Sequence, residues 1–202
     1  MKDRELRMIT TNIETRQTEE EQNKVSGLGL VYERETELFP GFLEVIRKDA
    51  FKESIERDRD RPIKSYFNHD PSSVLATTAS EPPLLVENRD EGIFYEAEIP
   101  DTTYGDDLKE NLKRKNVQGS SFKFAVDDEN TWEDEEGIVH REILQGEIYE
   151  LGPVTDPAYL QAEAGLRSAE KTLEEYRQKA KANKKSKIFI LKKRLDLKSK
   201  LY

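Results

Sequence analysis

No cysteine occurs among the 202 residues, which excludes disulfides, iron–sulfur ligation, thiolate zinc sites and cysteine nucleophiles at once. Histidine is nearly as scarce. His69 and His140 are the two present, too few for a zinc site without thiolates, and any step that needs an imidazole base has two places to go. No apolar run approaches the roughly 18 residues of a membrane helix. The opening MKDRELRMITTNIETRQ is too polar for a secretory signal, so a soluble intracellular product is expected. No phosphate-binding GxxxxGK[ST] loop occurs, and the acid clusters DDEN and EDEEG lack the spacing of a calcium loop and read as solvated turns. Neither a metal nor a cofactor is expected.

Charge is what the chain has in abundance: 37% of residues are Asp, Glu, Lys or Arg against 35% hydrophobic, with a net charge of -9. That charge is split along the chain. Residues 177–202 carry eleven Lys and Arg against one acid, Asp196, which is +10 and leaves -19 on everything before. An acidic body with a basic tail points to different partners at the two ends. Nucleic acid is expected, if anywhere, only at the tail, and a membrane not at all.

Strand signals dominate the body. SGLGLVYERE (26–35) and KSYFNH (64–69) carry β-branched or aromatic residues between turn formers, and PPLLVENRDEG followed by IFYEAEIP reads as a hairpin around Asp-Glu-Gly. GFLEVIRKDAFKESIERD (41–58) predicts a helix, since Phe42, Val45, Ile46, Phe51 and Ile55 follow helical spacing. DTTYGDDLKENLKRKN predicts another, capped at Thr102 or Thr103, with acids at its start and lysines at its end. VQGSSFKFAV alternates as a strand, and IVHREILQGEIYELGPVT supplies one or two more. The fold class is therefore α+β, mainly β: a partly closed antiparallel β-barrel surrounded by a few helices. We divide the chain into a polar, partly flexible N-terminal segment (1–25), the barrel domain (26–168) and a basic amphipathic helical tail (169–202) with Leu166, Ala169, Leu173 and Tyr176 on one stripe.

Without cysteine, a hydrolytic nucleophile has to be a hydroxyl activated by a base that is itself oriented by a third group. His69, where a strand runs into the turn NHDP, is a candidate base, although taken alone it reads more readily as a turn histidine bonding a nearby backbone group. In QGSSFKFAV strand parity places Ser120 with Phe122 and Phe124 on one face and Ser121 with Lys123 on the other. If the aromatics fill the core, Ser121 faces a cleft or solvent and is the preferred nucleophile. A bulge at Gly119 would exchange the two and make Ser120 the alternative.

Five blocks in order carry a family resemblance: LFPGFLEVIRKDAFKESI, FNHDPSSVLATT, GIFYEAEIPDTTYGDDLKENLKRKNVQGSSFKFAV, TWEDEEG and YELGPVTDPAYLQAEAGLRS. Over about residues 26–168 the chain resembles the prohead (capsid maturation) serine proteases of tailed bacteriophages, which are related in fold to the herpesvirus assemblins. The resemblance implies a herpesvirus-protease-like barrel, the catalytic histidine at His69, the nucleophile at Ser121, and an orienting carboxylate at Glu150. Glu147 competes for the third role, and the assemblin pattern, in which a second histidine orients the first, keeps His140 as a further alternative. It also implies a serine endopeptidase that cleaves the scaffold, the major capsid protein and itself inside the assembling procapsid, in the bacterial host cytoplasm, with a homo-oligomer left open. The alternative is a noncatalytic capsid assembly or scaffold protein that binds through its basic tail. Two departures stand out: Ala76 and Thr77 replace a Gly-Arg pair usual in the family, and Gly152 and Pro153 replace a Val-Ser pair.

Overall fold

The computed structural model of the chain describes residues 5–10, 23–57, 61–155 and 169–181. Ten strands and two helices follow in the order β1 (Glu5–Thr10), β2 (Lys24–Val31), β3 (Thr36–Phe39), β4 (Phe42–Ile46), α1 (Lys52–Glu56), β5 (Lys64–Tyr66), β6 (Val74–Thr77), β7 (Leu85–Asn88), β8 (Gly92–Glu98), α2 (Thr103–Lys113), β9 (Gly119–Glu133) and β10 (Val139–Val154). A further helix, α3, covers 169–181. The distal part of the basic tail, 182–202, lies outside the described residues.

The fold is α+β and mainly β, as expected, but among the described residues the strands form two sheets and no closed barrel. The larger sheet runs β1-β9-β10-β4-β3, with β5 also on β10 and β6 on β5; the smaller is β2-β8-β7. Nor is the pairing all antiparallel. β10 is 16 residues long, and its two ends take separate parallel neighbours, β4 along Val139–Ile143 and β5 at Glu150. The smaller sheet contains the expected hairpin, β7 antiparallel to β8.

The predicted helix over 41–58 is mostly absent. Phe42–Ile46 is the strand β4, and α1 occupies only Lys52–Glu56. Phe42, Val45 and Ile46 satisfy helical spacing, but β4 is an inner strand that buries residues of both its faces, the ion-paired Glu44 among them, so the apolar-polar alternation that marks a strand is missing. The expected polar segment 1–25 also contributes structure, because β1 pairs with β9 from Glu5 opposite Phe124 to Thr10 opposite Gly119. α2 starts as its sequence predicts: Thr102 is the N-cap, and its hydroxyl oxygen accepts from the Gly105 amide at 3.2 Å.

The main core lies between the sheets. Phe122 and Phe124 stack at 5.1 Å, and Phe51 meets Phe124 edge-on at 5.5 Å, beneath fully buried Tyr95, Ile148 and Leu151. Burying each such side chain contributes about 1.5–3 kcal/mol. A second, smaller cluster joins α3 to the body: Ala169 is buried with Phe42 and Val139, and Leu173 and Tyr176 pack against them.

Candidate active site

Parity along β9 separates its two serines. Ser120 turns inward with the aromatics, where its Oγ lies 3.1 Å from the Tyr95 hydroxyl. Ser121 faces the other way, as does Lys123, and its hydroxyl is hydrogen-bonded to Nε2 of His69. The second ring nitrogen, Nδ1, is hydrogen-bonded to Oε1 of Glu150. The other oxygen of that carboxylate accepts from Lys123 Nζ at 3.0 Å. Four side chains from β9, β10 and the turn after β5 therefore form one line: Ser121, His69, Glu150, Lys123.

The turn that carries His69 is built by close backbone approach. Asn68 and His69 both have left-handed backbones, with φ of 53° and 59°, a conformation that costs most residues free energy and that Asn and His tolerate better than most. Two contacts to the end of β10 hold it. The Asn68 amide donates to the Pro153 carbonyl at 3.1 Å, and Asn68 Oδ1 accepts from the Thr155 amide at 2.9 Å. On the far side of the histidine, Asp70 accepts from the Ser72 amide at 2.9 Å and hydroxyl at 2.7 Å, which hold its carboxyl below the usual range. Gly152 makes the approach possible: a Cβ there would stand 2.2 Å from the Tyr66 carbonyl oxygen. The Gly-Pro departure at 152–153 is thus where the histidine turn seats.

Burial alone would push the Glu150 carboxyl upward, but the hydrogen bond and charge of His69, with Lys123 behind, outweigh it and hold the group below its ordinary value. Glu150 is thus an anion at neutral pH. Nδ1–H donates to it, which leaves Nε2 as the acceptor facing the Ser121 hydroxyl. The His69 side chain is 13% exposed, so one edge of the ring stays accessible. Ser121 itself is fully buried, which differs from the cleft-facing or solvent-facing position expected of it. Beside Glu150 and Lys123 opens a cavity of about 350 Å³, walled by Arg61, Lys64, Tyr66 and Tyr149.

The remaining candidates lie elsewhere. His140 sits at the far end of the β9–β10 hairpin, its ring stacked on Trp132 at 5.1 Å and its nitrogens 3.1 Å from Asp134 and 3.2 Å from Glu35; these acids, Asp134 foremost, raise its pKa. Glu147 pairs across the sheet with Ala125 and accepts from the Tyr149 hydroxyl at 2.8 Å. Ala76 is buried on β6 opposite Ser65, and the Thr77 amide donates to the Ser80 hydroxyl oxygen at 2.9 Å. No group of acids and histidines able to hold a metal ion occurs among the described residues. Lys123 is the member of the line that our sequence reading passed over, although it shares the face of Ser121 two residues on.

A serine, a histidine and a carboxylate in one hydrogen-bonded line is the arrangement that serine peptidases use. The profile of the caudovirus prohead serine proteases matches residues 11–179, and the chain belongs to that family. No curated protein matches it. Among solved structures it is similar to the bacteriophage T4 capsid assembly protease, gp21, at 12% identity and a TM-score of 0.47, over 75% of this chain and 98% of that one.

Proposed function

We propose that this chain is a serine endopeptidase of prohead maturation, with Ser121 as nucleophile, His69 as general base and Glu150 as the carboxylate that orients the ring. In this reading the two sheets are an opened counterpart of the assemblin-type barrel. The enzyme works inside the assembling procapsid in the bacterial host cytoplasm, trimming scaffold, major capsid protein and itself. The observation that supports it most is the unbroken line of hydrogen bonds from Ser121 through His69 to Glu150.

His69 Nε2 takes the Ser121 proton as Oγ attacks the peptide carbonyl, then protonates the departing amine; water repeats the sequence to release the acyl group. Proton transfer of this kind contributes about 10²- to 10⁴-fold. Glu150, held anionic, keeps Nδ1 protonated and stabilises the imidazolium between the two transfers. Mixing the purified protein with its capsid and scaffold proteins and following fragments by mass spectrometry tests the reading. Defined fragments are expected from the parent chain and none from Ser121→Ala or His69→Ala, whereas unchanged cleavage by either variant would sink the assignment.

A further inference from the structure

A peptidase nucleophile has to meet a peptide carbonyl, yet Ser121 has no exposed surface. What lies against it is a stretch of this chain. β1 runs antiparallel to β9 with Arg7 opposite Phe122 and Met8 opposite Ser121, and the Arg7 carbonyl oxygen is 3.2 Å from Ser121 Oγ. The hydroxyl has one hydrogen, so the Arg7 carbonyl competes with His69 Nε2 for it.

We infer that the edge of β9 from Gly119 to Phe124, occupied here by β1, is the peptide-binding edge of the enzyme, and that substrate enters as an extended strand antiparallel to β9 after displacing β1. The inference rests on the reading of Ser121 as nucleophile. Three observations carry it. β1 is the outermost strand of its sheet, so its departure uncovers a row of backbone donors and acceptors next to Ser121, which is how strand addition recognises peptides. The family match begins at residue 11, after β1 ends, so the strand lies outside the region that the family profile covers. Finally, β1 supplies a backbone carbonyl at the nucleophile, the group a substrate would bring.

The side chains of β1 indicate which peptides fit best. The Arg7 guanidinium grips Glu44 through Nε–Oε1 at 2.6 Å and Nη2–Oε2 at 2.8 Å, and Glu5 takes Arg141 at 2.8 Å. All four groups are buried. Arg141 also bonds Glu44 at 2.9 Å and reaches Glu129, so Glu44 and Arg141 keep each other when β1 leaves. Since β1 withdraws one charge of each sign, an incoming strand with an acid two residues before a base restores every pair. Peptides with an acid-x-base pattern are therefore the favoured class.

The chain has no cysteine of its own, which makes a lock simple to read. Thr10 and Gly119 are directly opposed, within the span of a disulfide for cross-strand neighbours. In the full chain carrying Thr10→Cys and Gly119→Cys, a fluorophosphonate probe should label Ser121 at least tenfold more slowly in the oxidised form than after reduction. In the same protein with Ser121→Ala, a fluorescent peptide copying residues 3–10 should bind the reduced form and not the oxidised one. The pair Glu5→Ala and Arg7→Ala, with unaltered folding by circular dichroism, should quicken labelling without any lock. Equal labelling of Ser121 in oxidised and reduced forms would overturn the inference and leave the assignment of the nucleophile standing. Labelling absent from every form would overturn that assignment and the inference with it.

Discussion

Glu150 has both oxygens engaged, one by His69 and the other by Lys123 at 3.0 Å. Exchanging it for Gln keeps the shape and removes the charge, so the ring loses both its fixed tautomer and its support as an imidazolium. Turnover of Glu150→Gln should fall on the order of 10⁴-fold with KM little changed, and Lys123→Met should lower it less, as measured by steady-state kinetics on a cleaved peptide. The pH dependence follows from the lowered pKa. A carboxyl held below its ordinary 4.5 adds stability that is fully present above that value and is lost as pH falls from there through the depressed one. Thermal melts from pH 6 downward should therefore show an acid loss in the parent chain, beginning below 4.5, that is smaller in Glu150→Gln. Of the residues in this line, Ser121 was legible because strand parity has a period of two. The choice between Glu147 and Glu150 was not. The register shift between Ile148 and Glu150 puts both acids on the face of Lys123, opposite Ala125 and Lys123 in turn, and no residue pattern announces that bulge.

At the scale of single elements, the ends of β5 and β10 decide where the histidine sits. Gly152→Ala drives a methyl group against the Tyr66 carbonyl, a backbone atom that cannot swing aside. It should cost about 1–3 kcal/mol in a urea titration and, by shifting Tyr66 and with it the turn that carries His69, reduce turnover at least tenfold. Ser65 on β5 makes the opposite case. Its hydroxyl is fully buried with no hydrogen-bond partner among the described residues, so Ser65→Ala should raise stability by about 1 kcal/mol, seen as a higher urea midpoint. Elements with local signals were readable: the β7–β8 hairpin from its Asp-Glu-Gly turn, α2 from Thr102 and its charge gradient. β4 was misread because burial on both faces erases the alternation that marks a strand. β1 was missed for a different reason, since Glu5 and Arg7 look solvent-facing until Glu44 and Arg141, far off in sequence, neutralise them.

Across the whole molecule, that same buried charge cluster joins four strands. Arg141 on β10 bonds Glu5 on β1, Glu44 on β4 and Glu129 on β9, and its neighbours outweigh burial to hold its charge. Arg141→Leu would leave Glu5 facing Glu44 with a single cation, Arg7, between them. Removing one partner of a buried ionic group costs about 3–5 kcal/mol, so the chemical-denaturation midpoint should drop sharply, more than for any exposed pair such as Arg114 with Glu110. The cluster closes the sheet on the side of β9 opposite His69, where the packed aromatics Phe122 and Phe124 lie, while Ser121 occupies the other face.

The most direct test of the central claim is to treat the protein with diisopropyl fluorophosphate and map the adduct by tandem mass spectrometry. A single adduct is predicted on Ser121, lost in His69→Ala and much slowed in Glu150→Gln. An adduct on Ser120 instead, or one on Ser121 that forms as fast without His69, would contradict it.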